Sequence, residues 1–460
     1  MLTGQDRNPQ ARYLILLTIS LLLFSSSSPA QGRHEQDNEG LHQLLQPVSF
    51  EAITLFGRDT AKAIVNIHYR IGGSFFIFVR NEVEQRKTEY VARGELVIEL
   101  LNEQKNSAAR KIKQILLTRP APARETDRSL DIQGAMSFAV PKGTYQIVLS
   151  LDDRESGRTY LDRNKKVTVA EPSPAQLEIA QLLFVQPVGI TLEAGFIPLN
   201  RGGDLQFGGK GGIISQLRLP DSALPPAVQW KLEGRVDGLG QRMEKFEGSE
   251  LVLLEGLLHM MTQEDEIRYR VDPAAKSWQT PYIPLPLERL EPGSYRLDIE
   301  FMPGQAKRRQ TLEFRVLWQS RPLSLVNPEL AVDALRHIAS EEEMNEMQSG
   351  SATRRAGAFR RFWRAKDRDT TTAYNEIMTE YYLRVDEALR KFSTLKEGDG
   401  YKTDRGRIFI LYGPPTKSDR IFQPGAPPTE VWSYEHLKRK FVFIDPNKSG
   451  TFILNQTENL

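Results

Sequence analysis

The chain contains no cysteine. That excludes disulfides, thiol nucleophiles, thiolate metal sites and lipid attachment on an N-terminal cysteine. Histidine is scarce: His34, His42, His68, His259, His337 and His436 are the only ones, and none forms an HExxH pair or another ligand spacing. No G-x-S-x-G elbow marks a hydrolase serine. Neither sign of charge dominates. The formal net charge is +2, so nothing in the balance draws the chain toward nucleic acid. After residue 30 no apolar run is long enough to cross a bilayer. The residues imply no cofactor and no metal.

What is present is globular material, 40% apolar and 26% charged, in 460 residues. That length predicts about two to four domains. Residues 1–30 read as a signal peptide. Arg7 and Arg12 supply a positive start, Tyr13 to Phe24 an apolar core, and Ser25 to Ala30 the small residues of a cleavage site before Gln31. Twelve residues of helix span about 18 Å, short of the roughly 30 Å hydrocarbon core. A retained anchor is the alternative. Export predicts a periplasmic or extracellular protein with no transmembrane span once the signal is removed. Residues 31–46 are a polar leader.

Strand signals follow. Val65, Ile67 and Tyr69 alternate with Asn66, His68 and Arg70, which predicts a half-buried strand. Further strands are expected at Phe75 to Val79, Leu96 to Leu100, Tyr145 to Leu151 and Lys166 to Val169, then at Ile213 to Leu219, Val228 to Leu232, Ile267 to Val271, Tyr295 to Phe301 and Thr311 to Trp318. A weak repeat links the halves: Pro141-Lys142-Gly143-Thr144-Tyr145 and Pro292-Gly293-Ser294-Tyr295 each place a turn before a Tyr-led strand. The pattern predicts two tandem immunoglobulin-like β-sandwiches, residues 47–172 and 173–319, or one larger all-β unit. After a linker at 320–329, residues 330–460 read as an α+β domain, helices first and a small antiparallel sheet second. Asn327-Pro328-Glu329 opens its first helix, helices follow at about 355–366 and 373–393, and strands at Arg407 to Tyr412, Glu430 to Tyr434, Phe441 to Ile444 and Thr451 to Leu454.

Several features invite a site. The glycine cluster Gly202 to Gly212 lacks the phosphate-loop spacing and reads as an inter-strand loop. Glu341-Glu342-Glu343 reads as a solvated helix face. Arg354, Arg355, Arg360, Arg361, Arg364, Lys366 and Arg368 interleave with Phe359, Phe362 and Trp363. The aromatics can face the core while the arginines are solvated or meet acids such as Glu376 and Glu380; behind an export signal, an anionic glycan, lipid headgroups or an acidic envelope protein are the candidate partners, and nucleic acid is not.

The densest block is Gly400-Tyr401-Lys402-Thr403-Asp404-Arg405-Gly406. Thr403 and Asp404 can accept backbone N–H groups, and Arg405 can form a two-pronged pair with Glu376 or Glu380. In a functional version Asp404, Arg405, Asn375, Glu376 and Tyr412 line a groove. With Phe362-Trp363, Asn375-Glu376, Glu380-Tyr381-Tyr382, Arg384-Val385, Tyr412-Gly413-Pro414-Pro415, Glu430 to Tyr434 and Phe441-Val442-Phe443, this block resembles the GWxTD domain family of secreted bacterial proteins over about 330–454. Tyr401 stands where the motif has Trp, and the Asp-Pro expected after Phe-Trp is altered at Lys366 to Asp369. The resemblance implies an exported envelope protein, often with β-sandwiches upstream, and no reaction. The expected binding residues are Asn375, Glu376, Arg384, Tyr401, Thr403, Asp404, Arg405 and Tyr412. Two functions are compatible with them: a non-enzymatic module that engages an envelope protein or glycan through the C-terminal domain, or a hydrolase of peptide or glycan that uses Asp404 with Glu380.

Overall fold

The structure is a computed structural model that describes residues 47–58, 62–83, 87–119, 131–170, 177–199, 203–219, 226–236, 242–263, 266–304, 307–394 and 399–459. The expected signal and leader, with His34 and His42, lie outside the described residues, as does Gly202. Among the described residues, four sheets build the upstream part and one the C-terminal part.

The first sandwich pairs a three-stranded sheet, β1 (Val48–Phe56), β2 (Ala63–Ile71) and the strand Ile132–Val140, with a six-stranded sheet centred on Lys87–Leu101 and Gly143–Asp153. Val65, Ile67 and Tyr69 enter its core beside Leu96, Ile98, Ile147 and Leu149. The second pairs a five-stranded sheet, built on Ala227–Val236, Gly293–Met302 and Arg308–Leu317, with a nine-stranded sheet that includes Leu183–Pro187 and Gln279–Leu285. Phe184, Leu232, Ile283, Leu297 and Phe314 share its core. The repeated tyrosines do the same work in both. The Tyr145 hydroxyl donates to the Pro141 carbonyl at 3.0 Å and the Tyr295 hydroxyl to the Glu291 carbonyl at 2.8 Å, each four residues back along the chain. Such a corner pins a turn to the strand it feeds.

Two expectations fail here. Asn66 and His68 are fully buried, so β2 is covered on both faces. The outer face of the three-stranded sheet, with Ile53 and Leu55, packs on the outer face of the nine-stranded sheet through Val185, Ile214, Tyr269 and Tyr282. The sandwiches are therefore stacked as four sheets rather than strung as beads. His68 Nε2 meets the Tyr269 hydroxyl at 2.7 Å across the junction. The edge of β1 is completed by side chains: Gln216 Oε1 accepts from Phe56 N at 2.6 Å, Gln216 Nε2 donates to Phe56 O at 3.1 Å, and Gln181 Oε1 accepts from Thr54 N at 3.1 Å. A sheet edge buried without such partners would leave backbone groups unpaired. Second, Phe75 to Val79 is not one strand: Gly73–Phe75 is a 3-10 turn and the strand begins at Val79. Phe75 and Phe76 fill the core, so the apolar run reflects packing rather than extension.

The helical layer comprises α1 (Pro328–Asp333), α2 (Glu341–Gln348), α3 (Ala352–Lys366), α4 (Glu376–Phe392) and α5 (Asp404–Tyr412). Asn327 caps α1 by accepting from Glu329 N and Leu330 N, with Pro328 in the first turn as expected. Ser340 and Glu343 form a capping box at α2. The helices share a core with a four-stranded antiparallel sheet in which Thr429–Tyr434 pairs with Arg439–Ile444; Trp432, Tyr434, Phe441 and Phe443 are its buried apolar side chains.

The expected strand at Arg407 to Tyr412 is instead α5. Its apolar run Ile408-Phe409-Ile410 resembles a buried strand, but its ends are those of a helix. Thr403 Oγ1 accepts from Gly406 N, Asp404 is an acid in the first turn, and Gly413 ends it at φ 80°. Those terminal signals outweigh the apolar run.

Candidate functional site

The expected site residues divide into two groups. Around Thr403-Asp404-Arg405-Gly406 the polar atoms turn inward. Arg405 pairs with Glu430, Nη1 to Oε2 at 3.0 Å, with side-chain exposures of 9% and 5%. It also donates to the Gly450 carbonyl at 3.2 Å and stacks over Phe452 at 4.3 Å. The expected partners Glu376 and Glu380 are thus replaced by a carboxylate of the sheet. Glu430 is held further by the Trp432 indole N–H at 2.9 Å and Ser418 Oγ at 3.3 Å. Asp404 accepts from Leu454 N at 2.8 Å and Arg407 at 3.3 Å. Thr403 donates to Gly400 O at 2.8 Å and accepts from Gly406 N at 3.0 Å, and Gly406 has no room for a side chain: a Cβ would sit 2.0 Å from Gly400 O. Tyr401 is buried, its hydroxyl bonded to Asp333 and its carbonyl to His337 Nε2 at 2.9 Å. Burial, with the Asp333 carboxylate adding to it, pushes the Tyr401 phenol up to about 12. Burial also lowers the His337 pKa, although the Tyr401 carbonyl opposes that shift. Tyr412 stacks on Phe441 at 5.5 Å.

The second group borders an open cleft of about 800 Å³ between the helical layer and the second sandwich. Glu376, Glu380 and Arg384 of α4 line it; Tyr401, Thr403, Asp404, Arg405 and Tyr412 are not among its lining residues. Asn375 is buried beside it as the cap of α4, accepting from Met378 N at 2.8 Å and donating from Nδ2 to Trp363 O at 2.9 Å. That second bond fixes the end of α3 against the start of α4. Arg384 donates to Glu380 at 2.8 Å and reaches the Ile410 carbonyl at 3.3 Å, a cation at the C-terminal end of α5 where the helix dipole favours one. The hydrolase pair Asp404 and Glu380 therefore has only its second member in the cleft.

The rest of the lining lies outside the expected binding residues, although Trp363, Lys366 and Arg368 belong to the basic and aromatic cluster noted in the sequence. Trp363, Lys366, Asp367, Arg368 and Asp369 come from the end of α3 and the turn after it, Tyr374 from the segment leading to α4, and Gly208 and Lys210 from the glycine loop. That loop connects strands as expected, Leu205–Gln206 to Gly211–Ile214, yet it also forms one wall. Gly208, at φ 85°, lies against the Tyr374 ring: a Cβ there would be 3.3 Å from it. Phe207, Trp318 and Tyr374 form a ring cluster with centroids 5.1 to 6.1 Å apart. Ala373 N donates to Glu288 O at 2.8 Å, a second tie between sandwich and helical layer. The Thr371 hydroxyl and amide hold the Asp369 carboxylate below its usual range, and Lys210 across the cleft contributes in the same direction. Four cations and four carboxylates thus surround a floor with Trp363, Ile377 and Tyr381. No group of three or more metal-ligating side chains is assembled among the described residues.

Comparison with curated proteins gives no match. Among solved structures, a protein of Corynebacterium diphtheriae described as membrane anchored is 11% identical, with a TM-score of 0.14; 59% of each chain is covered. The structure of manganese lipoxygenase of Gaeumannomyces graminis with part of zonadhesin of Komagataella pastoris is 9% identical, with a TM-score of 0.16, covering 59% of this chain and 94% of that one. The Enterococcus faecalis MSCRAMM ACE, described as binding its ligands by a collagen hug, is 8% identical, with a TM-score of 0.16, covering 59% of this chain and 95% of that one. TM-scores this low assign neither fold nor function to the chain. The GWxTD domain matches from Phe301, inside the strand Gly293–Met302, so the matched block takes in the sandwich strand Arg308–Leu317 and the Trp318 that packs at the cleft. The C-terminal region of this chain, residues 301–458, is a GWxTD domain.

Proposed function

We propose that this is a non-enzymatic binding module of the bacterial cell envelope that holds a protein or glycan partner in the cleft between its C-terminal domain and its second sandwich. The observation that carries the reading is the cleft itself: about 800 Å³, open, with aromatic and charged side chains on the helical wall and Lys210 on the sandwich wall. Pockets that bind ligands combine apolar surface with a few fixed polar groups. Here Glu380 is fixed by Arg384 and Asp369 by Thr371. Export rests on the composition of residues 1–30, and among the described residues no helix is long and apolar enough to cross a membrane.

The test uses the full chain from Gln31 against immobilised peptidoglycan fragments, envelope polysaccharides and purified envelope proteins. Glu376→Ala with Glu380→Ala should weaken retention of whichever class binds, with the fold unchanged by circular dichroism. Retention that ignores this pair removes the cleft as the site. Release of cleaved product from any of these probes would overturn the non-enzymatic reading. Cell fractionation should place the protein outside the cytoplasm; recovery in the cytosol sinks the export component.

A further inference from the structure

We infer that the exposed face of α3 and the cleft it leads into form one surface for an acidic polysaccharide. The inference rests on the cleft being a binding site and names the partner class. α3 buries Ala358, Phe362 and Trp363. At about 100° per residue, Arg354, Arg360, Arg361 and Arg364 fall together on the opposite arc of the helix, and all four are exposed. From Arg354 to Arg364 the stripe is about 15 Å long. Beyond the end of the helix the exposed Arg368 lines the cleft together with Lys210, and Lys366, packed over the Phe362 ring on the other side of α3, adds a third cation there.

Helix electrostatics do not account for this stripe. Arg364 and Lys366 in the last turn suit the dipole, but the first turn holds no acid and carries Arg354, where a cation is unfavourable. An exposed helix ordinarily relieves its charges through pairs of opposite sign, as α4 does with Glu380–Arg384 and Glu387–Lys391. α3 contains no Asp or Glu, and it sets Arg360 and Arg364 four residues apart. Like charges at that spacing destabilise a helix by a few tenths of a kcal/mol. Arg361 reaches Glu346 at 3.2 Å; among the described residues no ion pair engages Arg354, Arg360 or Arg364. An external polyanion would supply the missing partners.

The surroundings select the class of polyanion. Because Phe362 and Trp363 are buried, the stripe has no apolar side chains with which to enter a bilayer. An acidic peptide following the stripe into the cleft would meet Asp367, Asp369, Glu376 and Glu380. Those carboxylates repel the acids of any polyanion, but each sugar of an acidic polysaccharide also carries hydroxyls that can donate to them, whereas acidic peptide side chains offer no such donor. Tyr374 offers a ring beside them. A polymer with acidic groups for the stripe and hydroxyls for the cleft satisfies both halves.

The probe is polygalacturonate, titrated into the full chain beside neutral dextran, polyglutamate and phosphatidylglycerol vesicles. The triple variant Arg360→Gln, Arg361→Gln, Arg364→Gln should bind polygalacturonate about tenfold more weakly and with a shallower dependence on salt. A control with equal charge loss on the first sandwich, Arg110→Gln, Arg163→Gln and Lys166→Gln, should bind as the unaltered protein does. Equal affinity in the triple variant, or equal weakening in the control, overturns the stripe as the site. Tighter binding of polyglutamate or of the vesicles overturns the partner class. If the triple variant loses binding while Glu376→Ala with Glu380→Ala keeps it, the stripe stands and the cleft reading alone fails.

Discussion

Replacing Arg405 by Met should destabilise the C-terminal domain far more than its surface ion pairs would suggest. Arg405 and Glu430 are each less than a tenth exposed and 3.0 Å apart. Removing the guanidinium leaves a carboxylate out of water with two neutral donors, Trp432 Nε1 at 2.9 Å and Ser418 Oγ at 3.3 Å. Arg420 lies 3.5 Å from the same carboxylate, but its side chain is 62% exposed, so it recovers only a fraction of the lost attraction. Breaking a buried pair from one side costs about 3–5 kcal/mol. The Phe452 face that the guanidinium covers adds to the loss.

The readout is amide hydrogen exchange in the strand Thr429–Tyr434, which reports this domain separately from the sandwiches. A loss of about 3 kcal/mol accelerates exchange there on the order of 100-fold. The strand Gly293–Met302 of the second sandwich should exchange as before. Adding Glu430→Gln to Arg405→Met keeps an acceptor for the Trp432 indole and removes the orphaned charge, so the double variant should regain about 2 kcal/mol. A single variant that exchanges less than about tenfold faster, or a double variant no slower than the single, would refute the claim that a buried charge pair holds the helices to the sheet.

Three further outcomes follow from the same geometry. Gly406→Ala forces a Cβ to within 2.0 Å of Gly400 O and should lower stability by about 3 kcal/mol, read from the denaturant midpoint of the C-terminal transition. His337 has its pKa lowered by burial from an ordinary 6.5, so the unfolded chain takes up a proton that the native state refuses. Its stabilising contribution is therefore complete above about pH 6.5 and is lost as the pH falls through the lowered native value; His337→Gln should flatten the loss of stability between about pH 7.5 and about pH 5. At the junction of the sandwiches, Gln216→Leu strands the Phe56 N–H and carbonyl and the Leu258 carbonyl, the last bonded at 2.7 Å. It should cost about 3 kcal/mol in urea unfolding, and unchanged stability would mean that the junction relaxes without it.

Where a feature depends on neighbours in the chain, the sequence displays it. Lys166–Val169 alternates as written, and the two Tyr-led turns become two corners with the same hydrogen bond. Asn327 and Pro328 start a helix because cap and first turn are adjacent. Features that depend on distant partners are hidden. The second face of β2 is covered by Tyr269, 201 residues away from His68, so alternation in β2 suggested water where there is protein. Arg405 could be paired on paper with any acid, and the nearest helix acids were the natural choice; Glu430 wins because α5 and the sheet fold against each other. The cleft was half visible. Glu376, Glu380 and Arg384 stand on one face of α4, whereas Lys210 reaches the site only through the packing of Gly208 on Tyr374.

The division between the two groups bears on how the domain works. Arg384 belongs to both: its Nε holds Glu380 at the cleft while its Nη1 meets the carbonyl at the end of α5. α5 begins with Thr403 and Asp404 and is clamped by Arg405 to the sheet. Ile410 and Leu411, near its other end, line the cleft. The motif thus acts on the cleft through the position of one helix, and Tyr401, bonded to Asp333 of α1, fixes the turn from which that helix starts. Substitutions in Tyr401 to Gly406 should therefore change binding only in proportion to stability, whereas those at Glu376, Glu380, Lys366 or Arg368 should change binding at constant stability. A residue block can specify a domain strongly because it sets the geometry of a cleft that its own side chains do not line.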